Sequence, residues 1–128
     1  MCGIIGYTGQ ENALPKITKG LSVLEYRGYD SVGIAAEGER GIETVKCCGR
    51  IGALEERLEK NPIEGSRCAV GHTRWATHGG PSDVNAHPHR VGSVVLVHNG
   101  IIENYRELRA EMESSGVTFV SISARSSL

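Results

Sequence analysis

Aromatic residues are scarce in this chain: one Trp, one Phe and four Tyr, 5% of 128 residues. A core built from them would be thin, so aliphatic residues must carry it. Charge of one sign is also missing. Fourteen Lys and Arg stand against 15 Asp and Glu, for a net charge of -1. No basic face results, and nucleic acid is not expected as a partner. No apolar run is long enough to span a bilayer, so no membrane association is expected. The start, Met1-Cys2-Gly3-Ile4-Ile5-Gly6, has no basic n-region and no cleavage site, so it does not read as a secretory signal. The four cysteines include the adjacent Cys47 and Cys48, and nothing pairs them at metal-module spacing. They read as reduced thiols of a cytoplasmic protein. There is no phosphate-cradling P-loop and no GxGxxG fingerprint.

What is present is organised by short turn signals. Residues 3–8 suit a buried strand. Asn12 caps a helix that tolerates Pro15 in its first turn and sets Leu14, Ile17, Leu21 and Leu24 on one face. Residues 32–36 and 42–48 flank Gly38-Glu39-Arg40-Gly41 and predict a hairpin. A charged helix over 53–60 stops at Asn61-Pro62. Residues 67–73 form another apolar strand, followed by a long polar loop from Trp75 to about Arg90. Residues 93–98 read as a continuous buried strand. A helix then carries Ile102, Tyr105, Leu108 and Met112 on one face and is capped by Gly116. Val117 begins a last strand. Strands joined by hairpins and covered by helices predict an α+β fold with antiparallel sheet.

Three places carry chemistry. Cys2 follows the initiator methionine, and removal of Met1 would leave it with a free α-amino group. That amine has a reference pKa of about 7.7–8.0. One residue could then supply both nucleophile and base. Cys2 alone reads as well as a small buried apolar residue. In His98-Asn99-Gly100, Asn99 offers a side-chain amide and Gly100 an unobstructed backbone N–H. Two such donors aimed at one point make an oxyanion hole, although Asn-Gly is also an ordinary turn. In Gly71-His72-Thr73-Arg74-Trp75-Ala76-Thr77-His78-Gly79, Arg74 presents a planar fork suited to a carboxylate. The alternative is a solvated loop arginine. His87 and His89, with His72, His78 and Cys68, raise the thought of a metal, but no zinc-module spacing supports one.

Together these segments resemble the class II glutamine amidotransferases over almost all of residues 2–120. Leu24-Glu25-Tyr26-Arg27-Gly28-Tyr29-Asp30-Ser31, residues 71–79 and His98-Asn99-Gly100-Ile101-Ile102-Glu103-Asn104-Tyr105 are worded like the branch that aminates fructose 6-phosphate. The phosphoribosyl branch of purine synthesis is the alternative.

The resemblance implies an Ntn-hydrolase four-layer αββα sandwich, of which the chain supplies the first part. It implies that Cys2 attacks the glutamine amide, that Asn99 and Gly100 hold the oxyanion and that Arg27 positions the N-terminal residue. Arg74, Trp75, Thr77, His78 and Gly100 would bind substrate. Neither metal nor organic cofactor is implied. A sugar-phosphate isomerase domain would follow, and the full-length enzyme would be a homo-oligomer.

The match ends near residue 121, which divides the chain into an incomplete glutaminase domain over 1–121 and an unrelated tail over 122–128. The family's aspartate for the substrate ammonium falls on Ala124. Leaving that charge unpaired costs ~3–5 kcal/mol, or roughly two to three decades of affinity. The chain thus reads as a truncated, weakly active or inactive copy. A non-catalytic fragment that pairs with an intact subunit is the rival.

Overall fold

The computed structural model describes residues 2–75 and 80–120. Its elements run in the order β1 (Gly3–Thr8), α1 (Ala13–Leu24), a 3-10 turn (Glu25–Arg27), β2 (Ser31–Gly38), β3 (Gly41–Cys48), α2 (Ile51–Lys60), β4 (Cys68–Arg74), β5 (His89–Val91), β6 (Val94–Leu96) and α3 (Tyr105–Ser114). The expected α+β class with antiparallel pairing is found.

Local chemistry fixes most boundaries. The Asn12 side chain accepts from Leu14 N at 3.1 Å and starts α1. Residue 41 closes the β2–β3 hairpin, with Gly38 opposite Gly41 in register. α2 begins two residues earlier than predicted, at Ile51. Its first N–H is satisfied by the Tyr29 hydroxyl from a distant loop, a partner that local sequence cannot reveal. α3 ends as expected: Gly116 takes a positive φ of 89°. Gly116 N donates to Glu113 O and Val117 N to Met112 O, both at 3.0 Å, which is the paired C-terminal closure that glycine favours.

The four-stranded sheet has the order β1-β4-β2-β3. β4, distant in sequence, therefore lies between the first two strands. Gly3 faces Thr73, and Val32 faces Thr73 from the other side. Strand alternation gives the sheet two unlike faces. Ile34, Val32, Ala36, Cys47 and Ala69 meet Ile17 and Leu21 of α1 and Leu54 of α2 in one apolar core. Helix α1 lies so close that a Cβ on Gly71 would sit 2.7 Å from Ile17 Cγ2. The opposite face carries Ser31, Gly33, Ala35, His72 and Arg74. A segment through Asn85, Ala86 and His87 covers it, and all three residues are buried. Here a Cβ on Gly33 would sit 2.1 Å from the His87 carbonyl oxygen. Burial from both sides explains why β2 is buried from Ser31 through Ala36.

Two expected strands differ. The continuous buried strand over 93–98 is only Val94–Leu96, paired with β5 in a separate two-stranded sheet. Val94 is 60% exposed, because this hairpin forms no ladder with the larger sheet. Residues 117–120 form no strand. α3 also lacks a buried side chain, so its predicted apolar stripe of Tyr105, Leu108 and Met112 is not sunk into the core. Among the described residues no helix is long and apolar enough to cross a membrane.

Candidate active site

Cys2 immediately precedes β1, and the β1–β4 register delivers it to the end of β4. Its neighbour Gly3 donates its N–H to Thr73 Oγ1 at 3.0 Å. The Cys2 sulfur is bracketed by one residue: Trp75 N donates to Sγ at 3.2 Å, and Sγ reaches Trp75 O at 3.7 Å. The half-buried thiol is thus tied to the motif read from sequence as the glutamine-binding segment.

The arginine-containing segment joins the same corner. The Trp75 ring lies against Gly28, where a Cβ would fall 2.6 Å from Cζ3. Gly28 directly follows Arg27, so Trp75 links that turn to Cys2. Asp30 N donates to Arg74 O at 2.9 Å, which holds the end of β4 beside the start of β2. Arg74 is 5% exposed, a buried fork rather than a solvated loop side chain.

Asn99 arrives from the other direction. Its Oδ1 lies 2.7 Å from His72 Nε2. His72 faces Ile4 across the ladder, and one step of alternation puts Cys2 on the Ile4 side of β1. Cys2, His72, Arg74 and Asn99 therefore share one face of the sheet. Gly100 follows with φ 148° and the His98 ring 3.2 Å from where a Cβ would be. Thr77 and His78 lie outside the described residues, as do Met1 and the tail with Ala124.

The histidines are arranged as a stack. The His72 and His87 rings lie 4.2 Å apart at 18°. His89 meets His87 edge-on at 4.5 Å. Among the described residues no three His, Cys, Asp or Glu side chains converge on a metal-sized point. Burial pushes the His87 pKa down to about 2, and the neighbouring His72, His89, Arg74 and Lys46 act in the same direction. Burial likewise holds His72 below its ordinary value, against the hydrogen bond with Asn99. A groove of about 560 Å³ lined by Lys46, Arg57, Asp83 and Arg90 among others lies along β3 and contains none of the sequence-derived site residues.

No family model matches the sequence. The chain is 54% identical over 123 residues to the glutamine–fructose-6-phosphate aminotransferase (isomerizing) of Clostridium acetobutylicum, covering 94% of this chain and 20% of that protein. An enzyme of the same name from Thermus thermophilus is 51% identical over 121 residues, 93% of this chain and 20% of that one. Among solved structures, the glutamine phosphoribosylpyrophosphate amidotransferase from B. subtilis, complexed with ADP and GMP, superimposes with a TM-score of 0.76 at 29% identity. That match covers 96% of this chain and 27% of the other. The chain belongs to the Ntn glutamine amidotransferases.

It spans about a fifth of the length of the curated aminotransferases it matches. Within this amidotransferase domain the sequence motifs become neighbours around the end of β4: His72 meets Asn99, and Trp75, one residue past the strand, meets Cys2. Sequence reading gives no catalytic part to His72 or His87: it weighs both as metal candidates and favours a structural role for the His87 segment. The usable signal is parity: His72 and Arg74 lie two apart on a strand and so share a face.

Proposed function

We propose that this chain is the glutaminase part of an aminotransferase that makes glucosamine 6-phosphate from fructose 6-phosphate. The observation that carries the reading is the Cys2 sulfur held between the backbone N and O of Trp75. The wording of the relatives at 51–54% identity favours the sugar acceptor over the phosphoribosyl one.

In this reading Met1 is removed and the Cys2 α-amino group takes the thiol proton as sulfur attacks the glutamine amide carbon. The carbonyl π electrons move to oxygen, and the Asn99 side-chain amide and the Gly100 N–H stabilise that oxyanion. Collapse breaks the C–N bond. The amine returns its proton to the leaving nitrogen, and ammonia departs from a thioester. Water, deprotonated by the same amine, then releases glutamate and regenerates the thiol. Arg74 holds the substrate carboxylate, Thr77 and His78 also take part in substrate binding, Trp75 covers the site, and Arg27 keeps the N-terminal residue in place. We assign the domain to residues 1–121. Turnover is slow where Ala124 replaces the ammonium-binding aspartate. Delivery of ammonia to a sugar-phosphate domain, homo-oligomerisation and a cytoplasmic location belong to the same proposal.

The test uses covalent capture, which does not require turnover. An electrophilic glutamine analogue carrying a diazoketone should label Cys2 at one equivalent, with Met1 absent by intact mass, and glutamine should protect. Labelling spread over the exposed Cys48 and Cys68 without protection would sink the assignment.

A further inference from the structure

An Asn carboxamide has two nearly isosteric orientations, and only one serves an oxyanion hole. With Nδ2 toward the substrate, Asn99 donates to the developing negative oxygen. With Oδ1 there, lone pairs face that charge and repel it. Something must therefore choose between the two.

We propose that His72 is a positioning residue that fixes the carboxamide of Asn99 with its oxygen turned away from the substrate and its N–H group toward it. This inference rests on the glutaminase reading. His72 Nε2 and Asn99 Oδ1 are 2.7 Å apart, a full-strength hydrogen bond. Because Oδ1 can only accept, the ring must carry its proton on Nε2. The ring is itself held still: His72 is 1% exposed and stacks on His87 at 4.2 Å. The same His87 fixes the backbone one residue before Asn99, since His98 N donates to His87 Nδ1 at 3.3 Å. The His98-Asn99-Gly100 segment is thus gripped twice, by His87 at its backbone and by His72 at its side chain. The two gripping rings press on each other. His72 touches no reacting atom in this scheme and acts through Asn99.

Histidine tautomers are read directly by long-range nitrogen–proton correlation in the 15N-labelled chain near neutral pH. We expect the Nε2–H form for His72. His72→Gln, which keeps an N–H donor near the Nε2 position, should leave the Asn99 side-chain amide resonances near their wild-type positions. His72→Phe, which keeps the stack, should shift them. In glutamate-release assays His72→Phe should lower kcat by about ten- to a hundredfold with KM changed by less than about twofold, and His72→Gln should recover most of it. Alkylation of Cys2 by iodoacetamide needs no oxyanion hole and should proceed equally in all three.

An Nδ1–H tautomer, or Asn99 resonances unmoved in His72→Phe, would overturn the proposal. A failure of His72→Phe to fold leaves the tautomer and His72→Gln to decide it. If His72 is Nε2–H but the wild-type chain neither releases glutamate nor is captured at Cys2, the glutaminase reading falls and the His72–Asn99 pairing stands.

Discussion

The two faces of the central sheet are built from the same four strands to opposite ends. Under α1 and α2 the face is aliphatic: Val32, Ile34, Ala36 and Ala69 are each no more than 3% exposed and meet other carbon. Under the 85–89 segment it carries Ser31, His72 and Arg74, each no more than 5% exposed. Both faces press a neighbour directly onto a glycine, Ile17 on Gly71 and the His87 carbonyl on Gly33. Close packing is thus common to both, and polarity separates them. The difference assigns stability mainly to the first face and fixed side-chain positions to the second, because buried polar groups must be paired and a paired group is held in place.

The largest expected effect tests the aliphatic side. Ile34 is fully buried in that core. Ile34→Ala should lower the unfolding free energy by about 2–5 kcal/mol through lost burial and the cavity left behind. Urea unfolding measures it. Capture of Cys2 per folded molecule should be unchanged. A matching loss of capture rate would show that the two faces are not separable and break the comparison.

Sequence made much of the first face legible and little of the second. Asn12, the glycines at 38 and 41 and the Asn61-Pro62 stop act within a few residues, so α1, the hairpin and the end of α2 could be read locally. The face of α1 followed from Leu14, Ile17 and Leu21. The insertion of β4 between β1 and β2 joins residues about 30 to 70 apart, and no local rule specifies it. The second face depends on that insertion: His72 becomes a partner of Asn99 only once β4 is central. The strand over 93–98 failed for a related reason. An apolar run predicts burial only if a neighbour covers it, and Val94 pairs just with its own hairpin. Cys2, Asn99 and Arg74 were legible as residue types suited to a task, and their placement on one side of the sheet was not.

The second prediction concerns the polar face and pH. His87 is flanked by His72 and Arg74 of β4, Lys46 of β3 and His89 of its own segment, all of which oppose its protonation. It stays neutral in the folded chain down to about pH 2, whereas in the unfolded chain it protonates below about 6.5. Between these values the unfolded state binds more protons, so stability falls as pH falls. One such histidine costs about 2 kcal/mol on going from neutral pH to pH 5. His72 and His89 act in the same direction. Urea midpoints at pH 7 and pH 5 should show the loss, and His87→Phe, which stacks without titrating, should shrink it. An unchanged slope in that variant would place the acid sensitivity elsewhere.

The smallest effect should come from the rim of the polar face, where the covering loop is tied to the sheet edge. Asp83 accepts from Cys48 N at 2.9 Å and pairs with Arg57 at 2.8 Å. Both charged side chains are about half exposed, 48% and 49%, so solvent screens the attraction and the pair contributes less than about 1 kcal/mol. Asp83→Asn keeps an acceptor for Cys48 N and removes only the charge. It should cost a few tenths of a kcal/mol at low salt and almost nothing at high salt. Arg57 holds the Asp83 carboxyl below the usual range, so its stabilisation is present above the unfolded carboxylate pKa and is lost only as pH drops through the folded one. That window lies below the pH 7 to pH 5 interval. Asp83→Asn should therefore leave the pH 7 to pH 5 slope intact while His87→Phe flattens it. If the two variants traded behaviours, the acid response would belong to the rim, and the buried stack would lose its claim to it.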